Sequence, residues 1–256
     1  MPKNFGLSTE KIIFQIERGQ SSRDISINLE KDDLIWWSPL FRAYLFFLGS
    51  TGKLQAGCYF LSTSMNIPQI AEKFANGDVA KTKVTIPEGF TSAQISERLK
   101  NVTRTPLVTL DEHEGYLFPD TYEIPYCLEQ EKIVEMMLDN FNRKTANLKI
   151  TPEIVTMASL LEKELKTKED KELASGILWK RLKAGMPLQV DAYMWTYENY
   201  DLPEKPISNP GLESISAALY QKESPYWYYL STRDGETIFS RTLEEHNIAR
   251  ARYLTP

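Results

Sequence analysis

The stretch T-P-E-I-V-T-M-A-S-L-L-E-K-E-L, Thr151 to Leu165, sets the frame for the rest of the chain. Pro152 suits the first helical position because it has no amide hydrogen to leave unpaired, and Thr151 is placed to accept a hydrogen bond as the N-cap. Ile154, Val155, Met157, Ala158, Leu161 and Leu165 then recur at helical spacing. Glu162 falls four residues after Ala158, three after Ser159 and three before Leu165, so it shares a face with small and apolar side chains rather than with charges. A carboxyl held partly out of water on such a face is expected to stay protonated near neutrality, as a general acid must. Against this, Glu162 opens the mixed-charge run E-K-E-L-K-T-K-E-D-K-E, and such runs usually coat a solvated helix.

Composition narrows the field. A chain of 256 residues with 42% hydrophobic and 25% charged residues has the make-up of a globular protein of one or two domains. A net charge of −5 without a Lys/Arg cluster gives no reason to expect nucleic acid as a partner. Two cysteines, Cys58 and Cys127, allow at most one disulfide and no thiolate metal site; lying so far apart, they are expected to be reduced. His113 and His246 are too few for a multi-histidine zinc site, so neither metal nor cofactor is expected. The most apolar stretch, Leu34 to Leu48, is shorter than the roughly 20 residues of a membrane span and is interrupted by Pro39 and Arg42. It reads as a core helix with a turn.

The first part of the chain repeats itself. F-Q-I-E-R-G-Q-S-S-R-D-I-S-I-N-L from Phe14 aligns without gaps on V-T-I-P-E-G-F-T-S-A-Q-I-S-E-R-L from Val84. Each copy predicts a short strand, a turn with Gly, a Ser/Thr cap and an amphipathic helix. Between them, L-Q-A-G-C-Y-F-L predicts a strand and N-I-P-Q-I-A-E-K-F-A-N-G a capped helix closed by Gly77. This β-α material is similar to a LysM-like unit, a small glycan-holding fold, although a plain packing module has the same grammar. The aromatic segment Glu114 to Pro125 could line a sugar groove or plug a core. Further on, helices are expected over Gln130 to Lys144, from Thr167 to a C-cap near Gly185, from an Asn209 cap, and over Thr242 to Tyr253. A β-hairpin is expected around R-D-G at Arg233 to Gly235.

Seven strings, in order and covering nearly the whole chain, resemble the MltG-type endolytic murein transglycosylases, the YceG-like family. They are V-T-I-P-E-G-F-T at Val84, G-Y-L-F-P-D-T-Y at Gly115, A-S-L-L-E-K-E at Ala158, M-P-L-Q-V-D at Met186, P-I-S-N-P-G at Pro206, S-P-Y-W-Y-Y-L at Ser224 and F-S-R-T-L-E-E-H-N at Phe239. The resemblance implies an α+β protein: LysM-like N-terminal α/β modules over residues 1–105, then a mixed helical and β catalytic domain over 106–256. It implies cleavage of the MurNAc–GlcNAc β-1,4 bond in peptidoglycan glycan strands to give 1,6-anhydroMurNAc ends. One Glu serves as acid and then as base, because the C6 hydroxyl of the sugar is an internal nucleophile and no second carboxylate has to activate water.

The resemblance places the catalytic role on Glu162. Gln189, Asp191, Ser208, Asn209 and Tyr197 are the candidate substrate-binding residues, with Asn209 as a plain helix cap and Asp191 as a turn residue the alternatives. Glu164 points away from Glu162 and reads as structural; His246 reads as a packing or hydrogen-bonding residue. Val190 stands where the family usually has a hydroxyl residue, and the 191–208 segment is shorter than usual. Two competing readings are a non-catalytic peptidoglycan-binding protein of the same fold, and a hydrolase pairing Glu162 with Asp191. The implied location is the outer, cell-wall side of the bacterial inner membrane, with peptidoglycan synthases as further partners. The family's membrane anchor is absent from the sequence, as expected of a trimmed or unanchored member.

Overall fold

The computed structural model describes residues 10–100 and 110–254, and the domain boundary expected at residues 105 and 106 lies outside them. Helices and small two-stranded sheets alternate in an α+β fold made of two compact units. Of the described residues, the first unit holds 10–84, 100 and 122–130, and the second holds 85–99, 110–121 and 131–254.

In the first unit, β1 (Ile12–Ile16), α1 (Ser22–Lys31), α2 (Ser38–Phe47), β2 (Gly57–Leu61) and α3 (Ile67–Asn76) follow one another. β1 and β2 are antiparallel, with Phe14 opposite Tyr59. A two-stranded ribbon is not stable alone, and here its buried side is closed by rings: Phe74 of α3 stacks on Phe14 at 5.8 Å and meets Tyr59 edge-on at 4.7 Å. The caps fall where their residue types predict. Ser21 accepts from the Asp24 amide, Asn66 and Gln69 form a reciprocal capping box, and Gly77 closes α3 at φ 66°, a left-handed conformation that glycine adopts without strain. The chain leaves this unit along β3 (Lys81–Thr85) and re-enters along β4 (Thr121–Pro125), which pair with each other.

Two expectations are corrected in this unit. Cys58 and Cys127 are not reduced: they form a disulfide, with Cα atoms 5.7 Å apart, between β2 and the segment after β4. β4 brings the chain back to the first unit, which closes a 69-residue separation that looked prohibitive along the sequence. The Leu34–Leu48 stretch is helical but only half core. Phe41 and Leu45 are buried, whereas Trp36, Trp37, Leu40 and Phe47 are exposed.

The second unit contains all but the last residue of α4 (Ser92–Lys100), all but the first of α5 (Gln130–Thr145), then α6 (Pro152–Glu164), α7 (Lys168–Lys183), α8 (Trp195–Glu198) and α9 (Leu212–Leu219). The antiparallel hairpin β5 (Tyr228–Ser231) and β6 (Thr237–Ser240) and the helix α10 (Leu243–Tyr253) complete it. α6 is the central helix: every residue from Val155 to Leu161 is buried, against α7 and α9. A helix apolar all round belongs inside, and each fully buried Leu or Met side chain contributes about 1.5–3 kcal/mol. Thr151 is the N-cap residue of α6, yet its side chain makes no capping bond to the helix amides. The aromatic segment is a plug and not a groove: Leu117 and Phe118 are buried, and Tyr116 and Phe118 pack on Phe141 of α5.

Candidate active site

Glu162 and Glu164 close α6, and they open onto different surroundings. Two residues along a helix turn the side chain by about 200°. Glu162 is packed into a polar knot. Its Oε1 accepts from Lys171 Nζ at 3.1 Å, and its Oε2 accepts from the Gly211 amide at 2.9 Å and from Ser214 Oγ at 2.8 Å. The side chains of Glu162 and Lys171 retain only 8% and 3% of their exposure. On its own helix Glu162 has small and apolar neighbours, but across the interface one of its side-chain partners is a buried cation supplied by α7. All three partners are donors, and through two of them Glu162 caps the start of α9 from outside that helix. Gly89 allows the loop before α4 to lie against it, since a side chain at this φ 74° position would be strained and would touch Glu162 Cγ.

Ser208 and Asn209 belong to the same framework. Both are fully buried. Ser208 Oγ donates to the Ser159 carbonyl, and Ser159 Oγ accepts from the Ile207 amide. Asn209 Oδ1 accepts from the Leu117 amide at 2.8 Å, while its Nδ2 donates to the Phe90 carbonyl and to Glu114 Oε1. Three hydrogen bonds tie its amide to two chain segments, Phe90 and Glu114–Leu117. It does not cap α9, whose N-cap residue is Gly211. These two candidates are buried and fasten the fold beside Glu162.

Glu164 faces a cavity of about 240 Å3, and Gln189, Asp191 and Tyr197 line it too. Three of the five candidate binding residues thus gather around the carboxylate that the sequence reading set aside. Glu164 Oε1 accepts from the Ala192 amide at 2.6 Å. Burial raises its pKa above the ordinary carboxylate value, and the neighbouring Asp191 charge pushes the same way. The loop that carries its neighbours is tightly fixed. Gln189 adopts φ 54°, a left-handed conformation uncommon for a side-chain-bearing residue, and its Oε1 accepts from Arg181 Nη2 at 2.6 Å. Val190, at the position of the family's hydroxyl residue, is buried in the core, and its amide donates to Thr196 Oγ1. Asp191 accepts from the Tyr197 hydroxyl, whose pKa is pushed up to about 12 by burial and by that bond.

The other side of the cavity comes from residues the sequence reading did not select. Arg181 of α7 lies over the Tyr228 ring at 5.3 Å, and His246 of α10 stacks on the same ring at 5.4 Å. Tyr229 and Arg250 line the same space. Part of this was legible. Lys171 and Arg181 sit on α7 at positions that continue the apolar spacing of Ala174, Ile177 and Leu178, and a charge at a core position of a helix needs a partner.

The chain has clear relatives. The model of the YceG-like family matches residues 14–195 and 193–252. An endolytic murein transglycosylase of Bacillus subtilis is 28% identical over 97% of this chain and 86% of its own length. One from Streptococcus pneumoniae is 24% identical over 94% of this chain, which spans 58% of that longer protein. Among solved structures, a YceG-like protein of Listeria monocytogenes superposes with a TM-score of 0.56 at 31% identity, covering 94% of this chain and all of that one. Family model, relatives and fold agree: the chain belongs to the YceG-like family.

Proposed function

We propose that this protein is an endolytic lytic transglycosylase of peptidoglycan, and that Glu164 rather than Glu162 is its acid and base. The relatives' activity supports the reaction. The observation that carries the assignment is the contrast between two carboxyls on one helix end. Glu162 is ion-paired and accepts three hydrogen bonds, whereas Glu164 lines a cavity with its pKa raised. A general acid must reach the leaving group and is helped by a raised pKa, and of these two carboxyls Glu164 is the one that lines a cavity and carries such a shift.

In this reading Glu164 gives its proton to the glycosidic oxygen as the bond from C1 of MurNAc to O4 of GlcNAc breaks. The positive charge that develops at C1 is steadied by the Asp191 carboxylate, held in place by Tyr197. The C6 hydroxyl of the same MurNAc then attacks C1 and returns its proton to Glu164. The 1,6-anhydro ring closes, the acid is restored and no water is consumed. The disulfide supports a location on the oxidising, cell-wall side of the membrane; among the described residues no helix is long and apolar enough to cross a membrane. In the N-terminal unit, a cavity of about 320 Å3 between the β1–α1 turn and the segment before β2 suits a LysM-like grip on the same glycan.

A hydrolytic reading has one observation in its favour: Asp191 lines the same cavity as Glu164 and could activate water. Digesting purified peptidoglycan in water enriched in oxygen-18 separates the two. The lytic route gives anhydro ends without the label, and the hydrolytic route gives labelled reducing ends.

A further inference from the structure

α2 is apolar nearly all the way round, with Arg42 its single charged residue, yet only one side of it is covered. Phe41 and Leu45 sit in the core of the first unit. The other side leaves Leu40, Phe46 and Phe47 in solvent, with Trp36 and Trp37 before the helix and Leu48 after it. Exposures of 69% and 58% for the two tryptophans, and of 74% and 85% for the two phenylalanines, are those of rings that stand clear of the surface. The Phe46 and Phe47 rings meet each other edge-on at 6.1 Å. A helix apolar on both sides belongs between two apolar media, and the first unit supplies only one of them.

We propose that α2 and the residues flanking it seat the first unit on the surface of a phospholipid bilayer, with the exposed rings entering the boundary between headgroups and acyl chains. The aromatic chemistry fits, because a Trp ring leaves water there while its indole N–H keeps a polar partner. The charge fits too. From Leu34 to Leu54 the only charged side chains are Arg42 and Lys53, both cationic, in a chain of net charge −5; the nearest acidic residues along the sequence, Asp32 and Asp33, come before Leu34. Such a stretch complements a layer of anionic headgroups. Its ten residues rise about 15 Å, half of the roughly 30 Å hydrocarbon core, so the helix suits the interface and not a crossing. A glycan strand would need hydrogen-bonding side chains at the contact, and Leu40, Phe46, Phe47 and Leu48 have none. A protein partner would need a pocket shaped to each ring, whereas acyl chains mould themselves around protruding rings. This seat belongs to the first unit alone and is independent of which carboxyl does the chemistry.

The test is flotation of the full chain and of F46Q/F47Q with vesicles of phosphatidylcholine alone and of phosphatidylcholine mixed with phosphatidylglycerol. Both substituted rings stand in solvent, and thermal melts confirm that the variant is folded. Wild type is expected to float with the mixed vesicles and more weakly with phosphatidylcholine alone. Its tryptophan emission is expected to shift to the blue as Trp36 and Trp37 leave water, and W36F/W37F to lose most of that shift. F46Q/F47Q is expected to bind the mixed vesicles at least about tenfold more weakly, the scale of one large apolar side chain left in water. No flotation of wild type with either vesicle, or equal flotation of F46Q/F47Q, overturns the proposal. A chain that ignores vesicles but forms a dimer dissolved by F46Q/F47Q would give the face to a second copy. One that ignores vesicles but loses sedimentation with purified peptidoglycan on F46Q/F47Q would give it to a glycan strand. Either result also overturns the bilayer seat.

Discussion

At the residue scale, the question is why two glutamates in one E-K-E string differ so much. Glu162 and Lys171 neutralise each other out of water, so removing one partner strands the other. K171M should cost about 3–5 kcal/mol of stability in urea unfolding, and E162Q a similar amount, whereas E162Q/K171M should recover most of the loss. Additive losses in the double variant would show that the pair is not coupled. Glu164 behaves oppositely. Its folded-state pKa lies above the unfolded value, so its protonated form favours the fold at low pH and that contribution is lost as pH rises through the folded pKa. E164Q should match wild type in melting temperature near pH 4 and exceed it at pH 8; a difference independent of pH would contradict the buried carboxyl. The sequence displayed both glutamates and even their opposite directions, from helical spacing alone. It did not show which direction faces a cavity, because that depends on Lys171 nine residues onward and on the L-Q-V-D loop, neither of which enters the periodicity of α6.

At the scale of elements, caps, helix faces and the β5–β6 hairpin followed from residue types because they are settled within a few residues. Thr167 and Thr242 cap α7 and α10 as their spacing to Asp170 and Glu245 suggests. Asn209 misled for an instructive reason: Asn-Pro before an apolar run looks like a cap and a first turn, but two other segments, at Phe90 and at Glu114–Leu117, compete for the same amide and win. The disulfide was hidden because its partners meet only after β3 and β4 have carried the chain out of the first unit and back. Closing a loop of about 70 residues removes roughly 4 kcal/mol of unfolded-state entropy. Reduction should therefore lower the unfolding midpoint of the wild-type chain, and reductant should have no effect on C58S/C127S. An unchanged midpoint on reduction would mean that the bridge leaves the stability of this unit untouched.

At the scale of the whole molecule, family and fold were readable because seven strings in order leave little freedom, and the α+β architecture agrees with them. Which of the two neighbouring carboxyls is paired and which faces the cavity was not readable, since that depends on contacts from α7 and from the loop around Gln189. The most direct test compares three proteins on purified peptidoglycan: wild type, E164Q, and the charge-balanced E162Q/K171M, each shown by melting to be folded. The readout is the yield of 1,6-anhydro-muropeptides by mass spectrometry. Our account predicts product from wild type and from E162Q/K171M, and at least a roughly 1,000-fold loss in E164Q, as expected when one group serves as both acid and base. Product from folded E164Q, with none from folded E162Q/K171M, would contradict it and return the chemistry to Glu162.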